Sequence, residues 1–324
     1  MRIQRVTAIL LAGVMVACGG GGSDGGGGNN PVKAIAKAAA SGDNQSSTVG
    51  VALANSFCVL GTEDGAAKSG IVVSWSTPSG GSMSTVTTNT AADGTACSKL
   101  TLGHTSGPQT AVATSAGATG SPLTFNANAN PDVAIGLQKV GGDLQTGAIN
   151  TPLPTPVSVK AIDQFDNGVP NVAVTWEVFS GTATMVPLAG NTNASGVSNS
   201  SVTLGGTVGD IVITATSGTL NGSPITFNLT ASPPPLLVSV GSNFFTSGHN
   251  GSSNPAVDTV AAGGAVKWTW VGGSHGIESL GPSNFTNSSI GVGLTYTVVF
   301  NTPGTYNYDC LVHSLLMTGT IVVQ

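Results

Sequence analysis

Four residues that can ligate a soft metal lie in the C-terminal part of the chain. Cys310, His313 and Met317 stand close together, and His275 lies upstream of them. One thiolate, two imidazoles and a thioether form the His2Cys set with a weak axial methionine that holds type 1 copper. Zinc is the competing metal, although structural zinc sites rarely use methionine. The residues therefore predict a site for one copper ion.

The sequence also predicts the elements that must position these ligands. Tyr306, Tyr308 and Cys310 alternate, which is typical of one face of a strand that ends at the cysteine. A tight loop then carries His313 and Met317, and an apolar strand follows at residues 320–323. This arrangement predicts that one strand and one loop supply three of the four ligands.

This stretch resembles a known family. Residues 300–317 are similar to the C-terminal copper loop of small cupredoxins, the plastocyanin and azurin group, and residues 266–275 resemble the strand and loop that carry that family's first histidine. The resemblance covers about residues 236–324 and implies a Greek-key β-sandwich. The resemblance also implies that His275, Cys310 and His313 are the equatorial copper ligands and that Met317 is the axial ligand.

The match departs from the family at two points. Three residues separate His313 from Met317, whereas plastocyanins usually have four and amicyanins two. Many cupredoxins place an asparagine after the first histidine, where it ties the two ligand loops together, and this chain has Gly276 there. The alternative interpretation is a buried free cysteine with unrelated histidine and methionine residues.

The resemblance also predicts a partner surface. In cupredoxins the imidazole edge of the loop histidine, here His313, reaches the surface, and exposed apolar residues around it would mark an interaction site for a redox protein. The alternative is that some of these side chains close the end of the sandwich. The predicted docking residues are Leu311, Val312, Leu315 and Leu316.

Length and composition indicate several β domains. The 324 residues suggest two or three domains, and charged residues make up only 7%, against a usual value of about 25%. Val, Thr and Ile runs between Gly, Asn and Pro turns predict an all-β protein. A pI near 5.1 and the absence of basic runs argue against a nucleic-acid partner.

Residues 32–232 contain one unit twice, as residues 32–130 and 131–232. Residues 120–126 recur at 222–228, and each unit shows short alternating strands typical of an immunoglobulin-like (Ig-like) sandwich. The motif at residues 163–170 makes the second unit similar to bacterial Ig-like domains of the invasin and intimin type, which build stalks and adhesive surfaces. Prolines 233–235 predict a semi-rigid spacer before the third domain at residues 236–324.

The N-terminus has the pattern of an export signal. A basic start and an apolar stretch at residues 6–17 precede Cys18 in a sequence that resembles a bacterial lipobox. A Gly-rich tether follows at residues 19–31. The prediction is an exported lipoprotein, held in a membrane through lipid on Cys18, with the outer membrane favoured. The alternative is an ordinary signal peptide cut near Ala17.

Two further cysteines, Cys58 and Cys97, lie in the first unit, where the second has Val159 and Asn199 at the matching places. An exported compartment permits a disulfide between them. The competing interpretation is two free buried thiols.

The function predicted first is a membrane-anchored blue-copper electron carrier rather than an enzyme. With four histidines, the chain has too few imidazoles for a multicopper oxidase, and it contains no recognisable catalytic motif. Two alternatives stay open. One is a copper-binding or copper-delivery lipoprotein, and the other is a surface adhesin built on the Ig-like repeats.

Overall fold

The computed structural model of the protein describes residues 31–324, and strands and turns account for all its regular structure there. Within this range no helix is long and apolar enough to cross a membrane. The predicted signal peptide and the proposed lipidation site at Cys18 lie outside the described residues. The fold-class prediction is confirmed, because the protein is all-β and its sheets pack as sandwiches.

The first Ig-like sandwich pairs β2-β11-β10-β5-β7 against β1-β3-β4, with β8 joined to β3, and has a small β6-β9 ribbon. Its core side chains come from alternate strand positions and include Phe57, Trp75 and Phe125. The strands are β1 (Lys33–Lys37), β2 (Gln45–Thr48), β3 (Phe57–Glu63), β4 (Ala66–Ala67), β5 (Val72–Ser76), β6 (Ser82–Met83), β7 (Thr87–Asn89), β8 (Thr95–Ser98), β9 (Leu100–Thr101), β10 (Gly107–Thr114) and β11 (Leu123–Asn130).

A disulfide joins Cys58 on β3 to Cys97 on β8, which stand directly opposite each other in the antiparallel pair. The corresponding pair in the second sandwich is Ser158 and Asn199. Comparison of the two repeats in sequence gave Val159 and Asn199 as the places that match Cys58 and Cys97, and Val159 is one residue out of register. Val159 is fully buried, so its side chain points to the core and could not make this outward link.

The second sandwich pairs β13-β20-β19-β15-β17 against β12-β14-β18-β16. Its core contains Trp176 and Phe227 at the places of Trp75 and Phe125 in the first. The strands are β12 (Gly136–Gly141), β13 (Thr146–Ala148), β14 (Val157–Ile162), β15 (Ala173–Ser180), β16 (Ala183–Val186), β17 (Ala189–Asn191), β18 (Val197–Leu204), β19 (Gly209–Thr216) and β20 (Ile225–Ser232).

The two Ig-like sandwiches are joined by direct contacts between a loop of the first and a turn of the second. The rings of His104 and Phe165 stack with centroids 4.1 Å apart and planes 7° apart. Asn167 accepts a hydrogen bond from the Ser106 backbone N–H at 2.8 Å and donates to the His104 carbonyl at 2.7 Å. Its amide also donates to the buried carboxylate of Asp163. This set of contacts is referred to below as the interdomain clasp.

The C-terminal sandwich pairs β22-β21-β24-β26 against β23-β28-β27-β25, with parallel pairing of β21 to β24 and of β23 to β28. Val266, Trp268 and Trp270 alternate into its core. The strands are β21 (Leu236–Gly241), β22 (Phe244–Ser247), β23 (Ala256–Val260), β24 (Gly264–Trp270), β25 (Ile277–Leu280), β26 (Thr295–Phe300), β27 (Gly304–Cys310) and β28 (Ser314–Val323).

Candidate metal centre

Three of the predicted ligands meet at one end of the C-terminal sandwich. Cys310 is the last residue of β27, His313 lies in the turn after it, and His275 lies in the connection from β24 to β25. The thiol sulfur is 3.5 Å from Nδ1 of His275 and 3.4 Å from Nδ1 of His313. Within the described residues, His275, Cys310 and His313 form a group whose ligand atoms all lie within 4.8 Å of one another.

These separations match a shared ion. An ion about 2.3 Å from a thiolate and about 2.0 Å from an imidazole, at a tetrahedral angle, separates the two ligand atoms by about 3.5 Å. Cys310 and His275 are buried, whereas His313 is half-buried, so the group is reached from the side of His313. The donor set therefore fits a soft or borderline divalent metal, with Cys310, His275 and His313 holding it.

The orientation of His275 is fixed by its backbone neighbours. Its Nε2 is 2.8 Å from the carbonyl oxygen of Gly272, and its own carbonyl accepts the indole N–H of Trp270 at 2.8 Å. If Nε2 donates to that carbonyl, the lone pair on Nδ1 faces the Cys310 sulfur. Outer hydrogen bonds of this kind set the tautomer of a metal-ligating histidine. The backbone of His275 is held further by a reciprocal pair of bonds with Gly291.

The site favours a neutral imidazole. Burial lowers the pKa of His275, the carbonyl of Gly272 opposes this, and the nearby His313 lowers the pKa further. A neutral imidazole is the form that binds metal. Next to the cysteine, burial raises the pKa of Asp309, and Glu278 on the adjacent strand adds to the rise.

Met317 lies in a strand rather than in the loop that the sequence predicts. β28 begins at Ser314, because the register shifts between Asp309 and Cys310 and lets Ser314 pair with Cys310. Met317 is fully buried in the same core cluster as Cys310. Its side chain therefore lies in the interior of the sandwich, in the core cluster that also contains Cys310.

A backbone hydrogen bond of Gly276 joins the two ligand loops. Its carbonyl accepts the N–H of Leu311 at 3.0 Å, so a backbone hydrogen bond joins the loop of His275 to the loop of His313. A Cβ at this position would lie 2.8 Å from a methyl carbon of Leu311 and 3.0 Å from Ile290. A side chain at residue 276, such as asparagine, would therefore have to displace the side chains of Leu311 and Ile290.

The predicted docking residues divide into two groups. Leu315 and Leu316 are 82% and 71% exposed, and Val312 is also exposed, whereas Leu311 is half-buried against Gly276. Ile290 and Val292, which the sequence analysis did not single out, are exposed near the same end. No Asp, Glu, Lys or Arg occurs in residues 271–276, 288–294 or 311–318, so these segments are uncharged.

Several groups that shape the site could not be found by residue type. Gly272 and Gly291 contact His275 through backbone atoms, which every residue has. The residue types at these two positions therefore do not indicate their role in the site. Trp270 lies in the core of the sandwich, and its indole N–H also donates a hydrogen bond to the His275 carbonyl.

Comparisons with known proteins give structural matches only. No protein-family model matches the chain, and no curated protein matches it. Among solved structures, the FdeC adhesin of Escherichia coli is 12% identical, with 91% of this chain and 96% of that one covered at a TM-score of 0.39. The InvE adhesin of Yersinia pseudotuberculosis is 16% identical, with 69% and 70% covered at a TM-score of 0.30. A purple cupredoxin from Nitrosopumilus maritimus is 22% identical, with 28% and 99% covered at a TM-score of 0.23.

The electron-carrier prediction is contradicted by this comparison. The structures that cover 69% and 91% of the chain are bacterial adhesins, whereas the cupredoxin match is confined to 28% of it. Sequence reasoning assigned the role of the whole protein from the ligand motif of one domain. The two Ig-like sandwiches, which make up most of the described residues, were treated only as an alternative.

Proposed function

We propose that the chain is an exported surface protein of the adhesin type, in which two Ig-like domains carry a copper-binding C-terminal domain. The observation that supports the adhesin role is the pair of tandem Ig-like sandwiches fixed end to end by the interdomain clasp of His104, Phe165 and Asn167. A rigid tandem of this kind holds a terminal domain at a set distance from its anchor. The Cys58–Cys97 disulfide is consistent with an oxidising, exported location.

The anchor in this proposal is lipid on Cys18, followed by the Gly-rich tether of residues 19–31. A random coil of thirteen Gly-rich residues would span roughly 20 Å, and that reach would keep the first Ig-like domain clear of a membrane surface. Cys18→Ser should release the protein into the soluble exported fraction. A variant that stays with the membrane, together with a wild-type mass that shows no lipid, would overturn the anchor.

The copper ion would be held by Cys310, His275 and His313, and Met317, buried in the same core cluster as Cys310, would be the axial ligand. When bound, copper supplies a soft centre for the thiolate, and the protein fixes the ligands through the Gly272 carbonyl, the Trp270 indole and the tie at Gly276. The apolar surface beside the site, formed by Val312, Leu315 and Leu316, is proposed as the contact surface for an apolar partner.

Attachment assays on three strains test the adhesin proposal. Cells lacking the protein should attach less to surfaces or host cells than wild type, and cells producing the Cys310→Ser variant should attach normally, because this change leaves the Ig-like domains intact. Unchanged attachment in the deletion strain would contradict the proposal. Loss of attachment in the Cys310→Ser strain at normal protein levels would place adhesion in the C-terminal domain.

A second candidate function is copper capture for delivery. The observation that favours it is the half-buried position of His313, which leaves one edge of the ligand group open to an incoming chelator. Rapid loss of Cu(I) from the full chain to a competing chelator would support delivery. Retention of Cu(I) over hours at chelator excess would argue for a permanently held ion.

A further inference from the structure

The beginning of β28 receives little support from neighbouring strands. Pairing of β28 with β27 skips residues 315–317 and resumes at Ser314, and the described pairing of β28 with β23 starts only at Gly319. Residues 315–317 therefore form a bulge in β28. Two of their three side chains, those of Leu315 and Leu316, are exposed, so packing does not fix these two residues.

One side chain from a different loop reaches this bulge. Asn254 lies between β22 and β23, and its Nδ2 donates a hydrogen bond to the Leu316 carbonyl at 3.1 Å. The same nitrogen donates to the Asn243 carbonyl at 2.7 Å, and Oδ1 accepts the Phe245 N–H at 3.0 Å. Two carbonyls and one N–H thus fix the orientation of the amide, and both of its N–H donors are used.

Asn254 is itself fixed to a core residue of the sandwich. Phe245 is fully buried, and its ring meets the ring of Tyr308 edge-on, with centroids 5.0 Å apart. The backbone N–H of Asn254 donates to the Phe245 carbonyl at 3.3 Å, in addition to the bond that its side chain accepts from the Phe245 N–H. The hydrogen bond to Leu316 therefore connects an exposed segment to a strand that is anchored in the core.

Leu316 stands between two of the proposed copper ligands. Its N–H donates to the His313 carbonyl at 3.2 Å, and Met317 follows it directly in the chain. The other end of the same loop is fixed at Leu311, whose N–H donates to the loop of the first histidine. Asn254 provides the corresponding hydrogen bond at the far end, so the loop is fixed on both sides of His313.

We propose that Asn254 is a positioning residue for the metal centre, which acts through the Leu316 carbonyl and keeps His313 and Met317 in place. The role in metal binding rests on the proposed copper site, whereas the hydrogen bond itself is independent of a metal. Removal of hydrogen-bonding partners that orient metal ligands typically lowers metal affinity by about 10-fold to 100-fold. Asn254 belongs to a segment that supplies none of the proposed ligands, so its contribution comes only from the fold.

Hydrogen exchange of the metal-free full chain tests the contact with Leu316. Asn254→Asp keeps an acceptor for the Phe245 N–H but has no N–H to donate, so exchange of the Leu316 amide should become about tenfold faster while that of Phe245 stays close to wild type. Asn254→Gly lacks both groups and should accelerate both amides. Asn250→Gly is the matched control, because Asn250 lies in the same loop and its amide donates to the Val257 carbonyl instead. Unchanged exchange at Leu316 in Asn254→Asp would overturn the inference.

Titration of the same full-length proteins with Cu(II) tests the consequence for the metal centre. Asn254→Gly should bind copper about tenfold more weakly than wild type, and Asn250→Gly should bind it as tightly as wild type does. Equal affinities of wild type, Asn254→Gly and Asn250→Gly would overturn the positioning role. A wild-type chain that binds no copper would contradict the proposed copper site itself, which is a different result from equal binding by all three proteins.

Discussion

The imidazole of His104 stacks on the ring of Phe165 at 4.1 Å, across the junction between the two Ig-like sandwiches. The stack accompanies the two hydrogen bonds that Asn167 makes with the loop of the first domain. Stacking and hydrogen bonding restrict rotation of one domain about the other, and the proposed role of the tandem as a rigid stalk depends on that restriction.

Removal of the Asn167 side chain should loosen this junction. Asn167→Ala deletes the acceptor of the Ser106 N–H, so we expect faster hydrogen exchange at Ser106 and a broader range of interdomain angles in small-angle scattering. Asn221→Ala is the matched control, because Asn221 is exposed and its side chain makes no hydrogen bond with the described residues. Identical exchange at Ser106 in the two variants would show that the clasp does not hold the domains.

Acid should weaken the same junction. Burial opposes ionisation of Asp163, but hydrogen bonds from Asn167 and from the backbone of Asp132 and Phe165 outweigh it and lower the pKa of the carboxyl. A folded pKa below the unfolded value contributes stability that is present above the unfolded pKa and is lost as the pH falls through the folded one. The second domain should therefore lose stability below about pH 4.

Chemical unfolding of the full chain between pH 2 and pH 6 measures this effect. Asp163→Asn should be less stable than wild type at pH 6 and should show a smaller further loss on acidification. Asp166→Asn, an exposed substitution three residues away, should keep the wild-type pH dependence. An acid profile of Asp163→Asn that matches wild type would contradict the assignment.

The disulfide should stabilise the first sandwich alone. Cys58 and Cys97 are 39 residues apart, and closing a loop of this length contributes about 4 kcal/mol on chain-entropy arguments. Reduction, or Cys58→Ser combined with Cys97→Ser, should lower the free energy of unfolding of the first domain by about that amount. The second domain, with Ser158 and Asn199 at these places, should be unaffected and serves as the internal control.

Much of the fold follows from patterns that the sequence displays openly. The alternation around Trp176 and around Trp268 predicts the core faces of β15 and β24, and the repeated segment at residues 120–126 and 222–228 predicts a repeated sandwich. The position of Met317 was missed, because the apolar run after Ser314 is equally compatible with a loop and with an early start of β28. The register shift at Cys310 makes β28 start early, at Ser314. Because such a shift depends on how two strands pair, it could not be predicted from this run of residues alone.

The candidate site, like the fold, could be predicted only in part from the sequence. His275, Cys310 and His313 could be predicted, because cysteine and histidine are scarce in this chain and stand in a recognisable order. The contact of Gly276 with Leu311 and Ile290 could not be predicted, since it depends on a close approach of segments distant in sequence. The His104–Phe165 stack could not be predicted for the same reason, since the two residues lie in different domains.

The exposed apolar residues beside the site should be removable without damage to the fold. Leu315 is 82% exposed, so Leu315→Glu should leave thermal unfolding and copper uptake nearly unchanged while it lowers binding of an apolar dye. Leu237→Glu is the control, because Leu237 is 54% exposed on β21, a strand that carries none of the proposed ligands. Loss of copper or of stability in Leu315→Glu would show that this leucine closes the sandwich.

The copper site itself is tested most directly by titration of the full chain with Cu(II), followed by visible spectroscopy. The account predicts one copper per chain and an intense thiolate-to-copper charge-transfer band, because Cys310 lies within 3.5 Å of both imidazoles. The band should be absent in Cys310→Ser, whereas the surface control His249→Ala should keep it. A colourless wild-type complex, or an unchanged band in Cys310→Ser, would contradict the assignment of Cys310, His275 and His313 as a copper site.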